Sequence, residues 1–181
     1  MDKETKISNK KRDELKICVI GSVDAGKSSL ISVLVYKKLD DGRGIARKQI
    51  FRHPHEQESG RTSSISSHHL KIADGRIVTF IDLAGHERYL KTTVTGLSSS
   101  FADYAIITIG ANMGVLRMTK EHLGIALALK IPIIVVITKT DIALVINAFD
   151  QVPWECCKGA QANFKYFAGK VDYEKKKTYS K

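Results

Sequence analysis

Three observations predict a three-layer α/β domain built on a largely parallel sheet. Short apolar runs of strand length alternate with segments of helical periodicity through roughly residues 14–142. Two of the runs flank an Asp74-Gly75 turn, which adds one antiparallel edge pair. Three runs end in polar residues, from Gly21, Asp82 and Thr138 onward, and in such sheets ligands bind beyond the carboxyl ends of the strands.

The elements follow in order. Residues 14–21 (ELKICVIG) form a short apolar run closed by glycine, a strand. Residues 26–39 (GKSSLISVLVYKKL) have helical spacing, with lysines in the last turn, where the helix dipole favours cations. Residues 40–64 are polar, charged and irregular, the kind of long loop that is functional or mobile. Residues 65–83 (ISSHHLKIADGRIVTFIDL) read as two strands around the turn. Residues 85–97 (GHERYLKTTVTGL) suit a helix with Tyr89, Leu90 and Val94 packed inward. Residues 102–111 are a strand, 119–130 an amphipathic helix, and 131–138 (IPIIVVIT) a strand. Residues 141–149 begin another helix. The expected organisation is a charged extension at 1–13, the domain at 14–150, and a diverged segment with a basic tail at 151–181.

Composition bounds the function. With 181 residues the chain has length for one domain with a real core. No apolar run approaches the roughly 20 residues of a membrane helix, so no membrane partner is expected. The first residues are charged and hold no apolar signal segment. Cys18, Cys156 and Cys157 make an odd set unlike a disulfide framework, which points to a reducing, cytoplasmic setting. The net charge is +10, and half of it lies in residues 158–181, where seven lysines face only Asp172 and Glu174. That tail is either plainly solvated or a contact for RNA or another polyanion.

Residues 21–28 (GSVDAGKS: Gly21, Ser22, Val23, Asp24, Ala25, Gly26, Lys27, Ser28) match G-x-x-x-x-G-K-[ST] between a strand and a helix. Glycines let backbone N–H groups wrap a phosphate, and the helix N-terminus adds partial positive charge. Lys27 would meet the β- and γ-phosphates, Ser28 would offer an oxygen to Mg²⁺, and Ser29 would continue the cradle. A glycine turn that binds nothing is the plain alternative, and the flanking strand and helix argue against it.

Residues 138–141 (TKTD) speak to the base. The Asp141 carboxylate has the geometry to accept two hydrogen bonds from a guanine edge, a pattern that adenine lacks. Such charged hydrogen bonds are worth about 1.5–3 kcal/mol each. Thr138 and Lys139 complete the motif, with the Lys139 stem along the ring face. Asp141 as a simple helix N-cap is the competing reading. In residues 81–88 (IDLAGHER), Asp82 and Gly85 fit D-x-x-G. Asp82 would hold Mg²⁺ through a water, Gly85 would give its N–H to the γ-phosphate, and His86 would orient the attacking water more than deprotonate it.

These segments, with SGRTSS, DLAGHERYLKTTV and MTKEHLGIALAL, resemble the elongation-factor-like branch of translational GTPases. The GTP-binding protein (GTPBP) subgroup is the nearest in pattern, with Ala84 where elongation factors carry proline. The resemblance implies a Ras-like G domain that binds GTP and GDP, Thr62 as a Mg²⁺ ligand from the first switch (40–64), and a second switch at 84–97. It also implies a monovalent cation beside Asp24, and an activating or exchange protein or the ribosome as partner.

Three departures stand out. Thr138 replaces the usual asparagine, which would weaken the purine contact. Arg61 stands where an apolar gate residue is usual, opposite Val23. The late Ser-Ala guanine motif is absent, FAGK at 167–170 being a poor candidate, and with 40 residues after Asp141 the family's barrel domains are expected to be missing. The end of the chain is either diverged or belongs to a naturally short form, a virus-encoded one included, in which case the setting is host cytoplasm. His53, His55, His68 and His69 have no zinc-site spacing and read as exposed loop and strand residues; Cys156 and Cys157 read as packing. The expected function is GTP hydrolysis with Mg²⁺ and two reporting switches. The rival is a non-hydrolysing guanine-nucleotide module that docks a partner or RNA; a P-loop ATPase or kinase is disfavoured by Asp141.

Overall fold

The computed structural model describes residues 14–37, 40–41, 45–51, 62–140 and 167–168. The strands are β1 (Glu14–Gly21), β2 (Ser66–Lys71), β3 (Ile77–Asp82), β4 (Tyr104–Gly110), β5 (Ile133–Thr138) and β6 (Phe167–Ala168). The helices are α1 (Lys27–Tyr36), α2 (Leu90–Ser99) and α3 (Arg117–Ala128). The sheet order is β2-β3-β1-β4-β5-β6. Every pairing is parallel except β2 with β3.

Both faces of the sheet are covered, which is why the central strands are near-continuous runs of Ile, Val and Ala. Alternate residues feed two cores. Cys18, Ile20, Ile107 and Ile109 pack with Leu97 of α2 and Leu123 of α3. Ile17, Val19, Phe80 and Val136 pack with Ile31 of α1 on the other face. The register pairs Val19 with Asp82, Gly21 with Thr108 and Gly110 with Thr138, so the carboxyl ends of β1, β3, β4 and β5 share one rim.

The β2–β3 hairpin turns where Asp74-Gly75 predicts it. Gly75 takes φ 84°, a left-handed conformation that costs glycine little, and its N–H reaches the Ile72 carbonyl at 3.0 Å.

Four local expectations are corrected. Helix α1 ends at Tyr36, because Lys37 turns left-handed at φ 56° and gives its N–H to the Val33 carbonyl; the lysines therefore lie beyond the last turn. The loop expected to be wholly irregular has a folded stretch. Asp40 accepts the Ala46 N–H, Ser32 Oγ donates to the Ala46 carbonyl, and Ile50 and Phe51 are buried beyond a short 3-10 turn at Arg47–Gln49. In α2 the inward side chains are Thr93 and Leu97, with Gly96 on the same face, while Val94 is exposed. The helix starts one short 3-10 turn later than expected, at Leu90 after Glu87–Tyr89. His68 is buried rather than exposed, its Nε2 3.0 Å from Ser66 Oγ. The expected helix at 141–149, His53, His55, Arg61, Cys156, Cys157 and both charged ends lie outside the described residues.

Candidate nucleotide-binding site

The rim begins where β1 stops. Gly21 has φ 141°, and a Cβ there would meet the Thr108 carbonyl at 2.5 Å, so any side chain would push β4 away. The loop bends through Asp24 at φ 58° and closes at Gly26, which caps α1 at φ 80°. Ser22 and Ala25 are buried, Val23 and Ser29 half-buried, and Asp24 exposed. Lys27 folds its ammonium back over the loop, donating to the carbonyls of Ser22 (2.8 Å) and Gly21 (3.1 Å). Burial pushes the Lys27 pKa below its usual value, and Asp82 and then Asp24 oppose that shift.

Three oxygens from distant parts of the chain meet beside it. Ser28 Oγ donates to Asp82 Oδ2 at 2.7 Å and lies 3.0 Å from Thr62 Oγ1, which is itself 3.2 Å from Asp82 Oδ2. Hydroxyl and carboxylate oxygens are the hard ligands Mg²⁺ prefers. Its bonds of about 2.0–2.1 Å put neighbouring ligands of an octahedron about 2.9 Å apart, so the Ser28 and Thr62 hydroxyls, 3.0 Å apart, fit as direct ligands, with the Asp82 carboxylate beside them to hold a bound water.

Beyond β3 the chain presses against the loop. A Cβ on Gly85 would meet the Gly21 carbonyl at 2.7 Å and the Ser22 carbonyl carbon at 2.8 Å, with Lys27 Nζ nearer still. The Ala84 carbonyl accepts from buried Thr93 of α2, which ties the segment to the helix. His86 follows as the N-cap of the 3-10 turn. Its Nδ1 accepts the Arg88 N–H at 3.1 Å, and its ring meets Tyr89 edge-on at 6.2 Å.

On the other side, Thr138 at the end of β5 donates its hydroxyl to the Ala25 carbonyl at 2.8 Å. The threonine that departs from the usual asparagine thus latches this strand to the phosphate loop. Lys139 follows in a left-handed conformation, φ 58°. Asp141 lies outside the described residues. Strand β6 pairs Phe167 with Val136 and Ala168 with Ile137, which sets the first two residues of the FAGK segment alongside β5; Gly169 and Lys170 lie outside the described residues. A two-residue strand leaves no periodic signal in a sequence.

His122 of α3 was also missed, since a histidine on an amphipathic helix looks like any other. It is 1 % exposed, and its Nδ1 accepts the Gly21 N–H at 3.2 Å. Among the described residues no cluster of three or more His, Cys, Asp or Glu side chains could hold a metal ion.

The model of the elongation factor Tu GTP binding domain matches residues 12–178. The chain belongs to the translational GTPase family. It is 47 % identical to GTP-binding protein 1 of Xenopus laevis over 152 residues, which are 71 % of this chain and 23 % of that protein. It is 44 % identical to human GTP-binding protein 2 over 149 residues, 71 % of this chain and 25 % of that protein. This translational GTPase chain thus spans about a quarter of the length of the curated relatives it matches. Among solved structures it resembles a bacterial selenocysteine-specific elongation factor, EF-Sec, with TM-score 0.68 and 27 % identity over 85 % of this chain and 25 % of that one. The fold is shared with the elongation factor SelB of Methanococcus maripaludis in complex with the GTP analogue GppNHp. There the TM-score is 0.59 and the identity 22 %, over 85 % of this chain and 29 % of that one.

Proposed function

We propose that this domain binds GTP with Mg²⁺ and hydrolyses it to GDP and phosphate, its two switch segments reporting which nucleotide is held. The observation that carries the reading is the meeting of Ser28, Thr62 and Asp82 oxygens within 3.2 Å, beside a Lys27 against which Gly85 is packed. Three separate stretches of sequence have no packing reason to bring those polar groups to one strand-end rim.

The residues divide the work. Backbone N–H groups of the 21–28 loop and the α1 N-terminus would wrap the phosphates, and Lys27 would swing from its two carbonyls onto the β- and γ-oxygens. Ser28 and Thr62 would hold Mg²⁺ directly and Asp82 through a water; the ion supplies charge neutralisation on the phosphates. Gly85 would direct its N–H to the γ-phosphate. His86 has Nδ1 occupied as an acceptor, so its neutral ring carries the proton on Nε2. That tautomer donates to a water and orients it, and it has no free lone pair to take the water's proton. Hydrolysis adds water to the γ-phosphorus and breaks its bond to the β-phosphate oxygen, a step governed by positioning and electrostatics. Thr138, Lys139 and Asp141 would select guanine. Asp24, exposed beside the loop, is the candidate contact for a monovalent cation.

Side-by-side binding of GDP and ADP tests the base preference; equal affinity would remove the guanine claim. Single-turnover phosphate release separates hydrolysis from the rival, a nucleotide-holding module that docks RNA or the ribosome, which the charge of +10 favours.

A further inference from the structure

His122 sits under the phosphate loop with a geometry that core packing alone does not require. Its imidazole is 1 % exposed, on the inner face of α3. The Gly21 N–H can only donate, so Nδ1, 3.2 Å away, can only accept. The neutral ring then carries its proton on Nε2, a buried atom with no hydrogen-bond partner among the described residues. The Gly21 carbonyl, in the next peptide unit, accepts from Lys27 Nζ at 3.1 Å. The two peptides that flank the Gly21 Cα are thus pinned, one from α3 and the other by the phosphate-loop lysine. Burial, and then the Lys27 charge, disfavour a second cation and outweigh the opposing Gly21 backbone bond, holding the imidazole pKa at about 4, so the ring stays a neutral acceptor at physiological pH.

We propose that His122 is a positioning residue for the phosphate loop: as a neutral Nδ1 acceptor it holds the Gly21 N–H, and so fixes the turn at which β1 delivers the loop and Lys27 to the nucleotide. This inference rests on the GTP-binding reading above. The ring leaves an Nε2–H orphaned in order to offer Nδ1 at this point, and burying an unsatisfied donor has a cost that a leucine would avoid. The bond serves the loop rather than the packing.

The test uses the full chain with His122→Leu, which keeps bulk and removes the acceptor, His122→Gln, whose amide lies near the Nε2 position, and His122→Asn, whose oxygen lies near the Nδ1 position. Two quantities are read: the hydrogen-exchange rate of the Gly21 amide, and the affinity for a fluorescent GDP. Faster Gly21 exchange in the Leu and Gln variants, with about tenfold weaker GDP binding as expected for one lost buried hydrogen bond, and recovery of both in His122→Asn, is the expected result. Equal loss in all three variants, or unchanged Gly21 exchange in His122→Leu, would overturn the proposal, since either marks His122 as filler. Absence of GDP binding by the unaltered chain would instead remove the function proposed above, and the exchange measurement would still judge the Gly21 bond.

Discussion

A methyl group added at Gly85 would fall 2.7 Å from the Gly21 carbonyl and closer to the Lys27 ammonium. Backbone cannot yield as a flexible side chain does, so Gly85→Ala should force the second switch off the loop. Affinity for a non-hydrolysable GTP analogue should drop about tenfold or more, the scale of overpacking strain, while GDP binding changes little; titration with both nucleotides checks it. His86→Ala removes the only side chain read as orienting the water and should slow single-turnover phosphate release by about 10²–10⁴-fold. An unchanged rate would return the reading to a nucleotide-holding module. His122 makes a prediction about pH. Its folded pKa of about 4 lies below the ordinary 6.5. Between those values the unfolded chain takes up a proton that the folded chain refuses, so stability is lost as pH falls from 6.5 towards 4, by about 3 kcal/mol at most. Urea titrations at pH 7 and pH 4.5 should show a smaller difference in His122→Asn than in the unaltered chain.

Among the elements, the segment after α1 carries the least expected result. Ile50 is 4 % exposed and packs in the same core as Ile31 and Val19. The segment proposed as the first switch therefore includes an anchored stretch, and Ile50→Ala should cost about 2–4 kcal/mol in a urea titration, as a core truncation does. The same segment marks where reading a sequence ends. Strands β1 and β3 to β5 were legible because strands buried on both faces stand out as apolar runs, and β2 because the Asp-Gly turn, which few other pairs can take, marks a hairpin. The 21–28 loop and the Asp82–Gly85 step were legible because the chemistry dictates spacing. Ile50 and Phe51 were hidden, because two apolar residues among charges have no period. The orientation of α2 was hidden too, since its inner face holds Thr93 and Gly96 beside Leu97, and a polar residue and a glycine leave no apolar stripe to read. Thr138 looked like a weakened motif until its hydroxyl was found on the Ala25 carbonyl. Thr138→Val should accordingly weaken GDP binding about fivefold through the loop, on the scale of one neutral hydrogen bond.

For the whole molecule, charge is the dominant property. A net +10 predicts contact with polyanions whose strength falls steeply with salt. Titrating ribosomal RNA at low and high salt should reveal it, and binding that ignores salt would argue for another kind of partner. Among the described residues β2 is the outermost strand on its side of the sheet. Lys71 at its end is exposed, while Arg76 across the hairpin is paired with Asp74, so two copies brought edge to edge would bring the Lys71 charges together. Added salt screens such repulsion within a few ångströms. Concentrated stocks of the protein should therefore scatter more light in strong brine than in dilute buffer, the reverse of what its grip on nucleic acid would do.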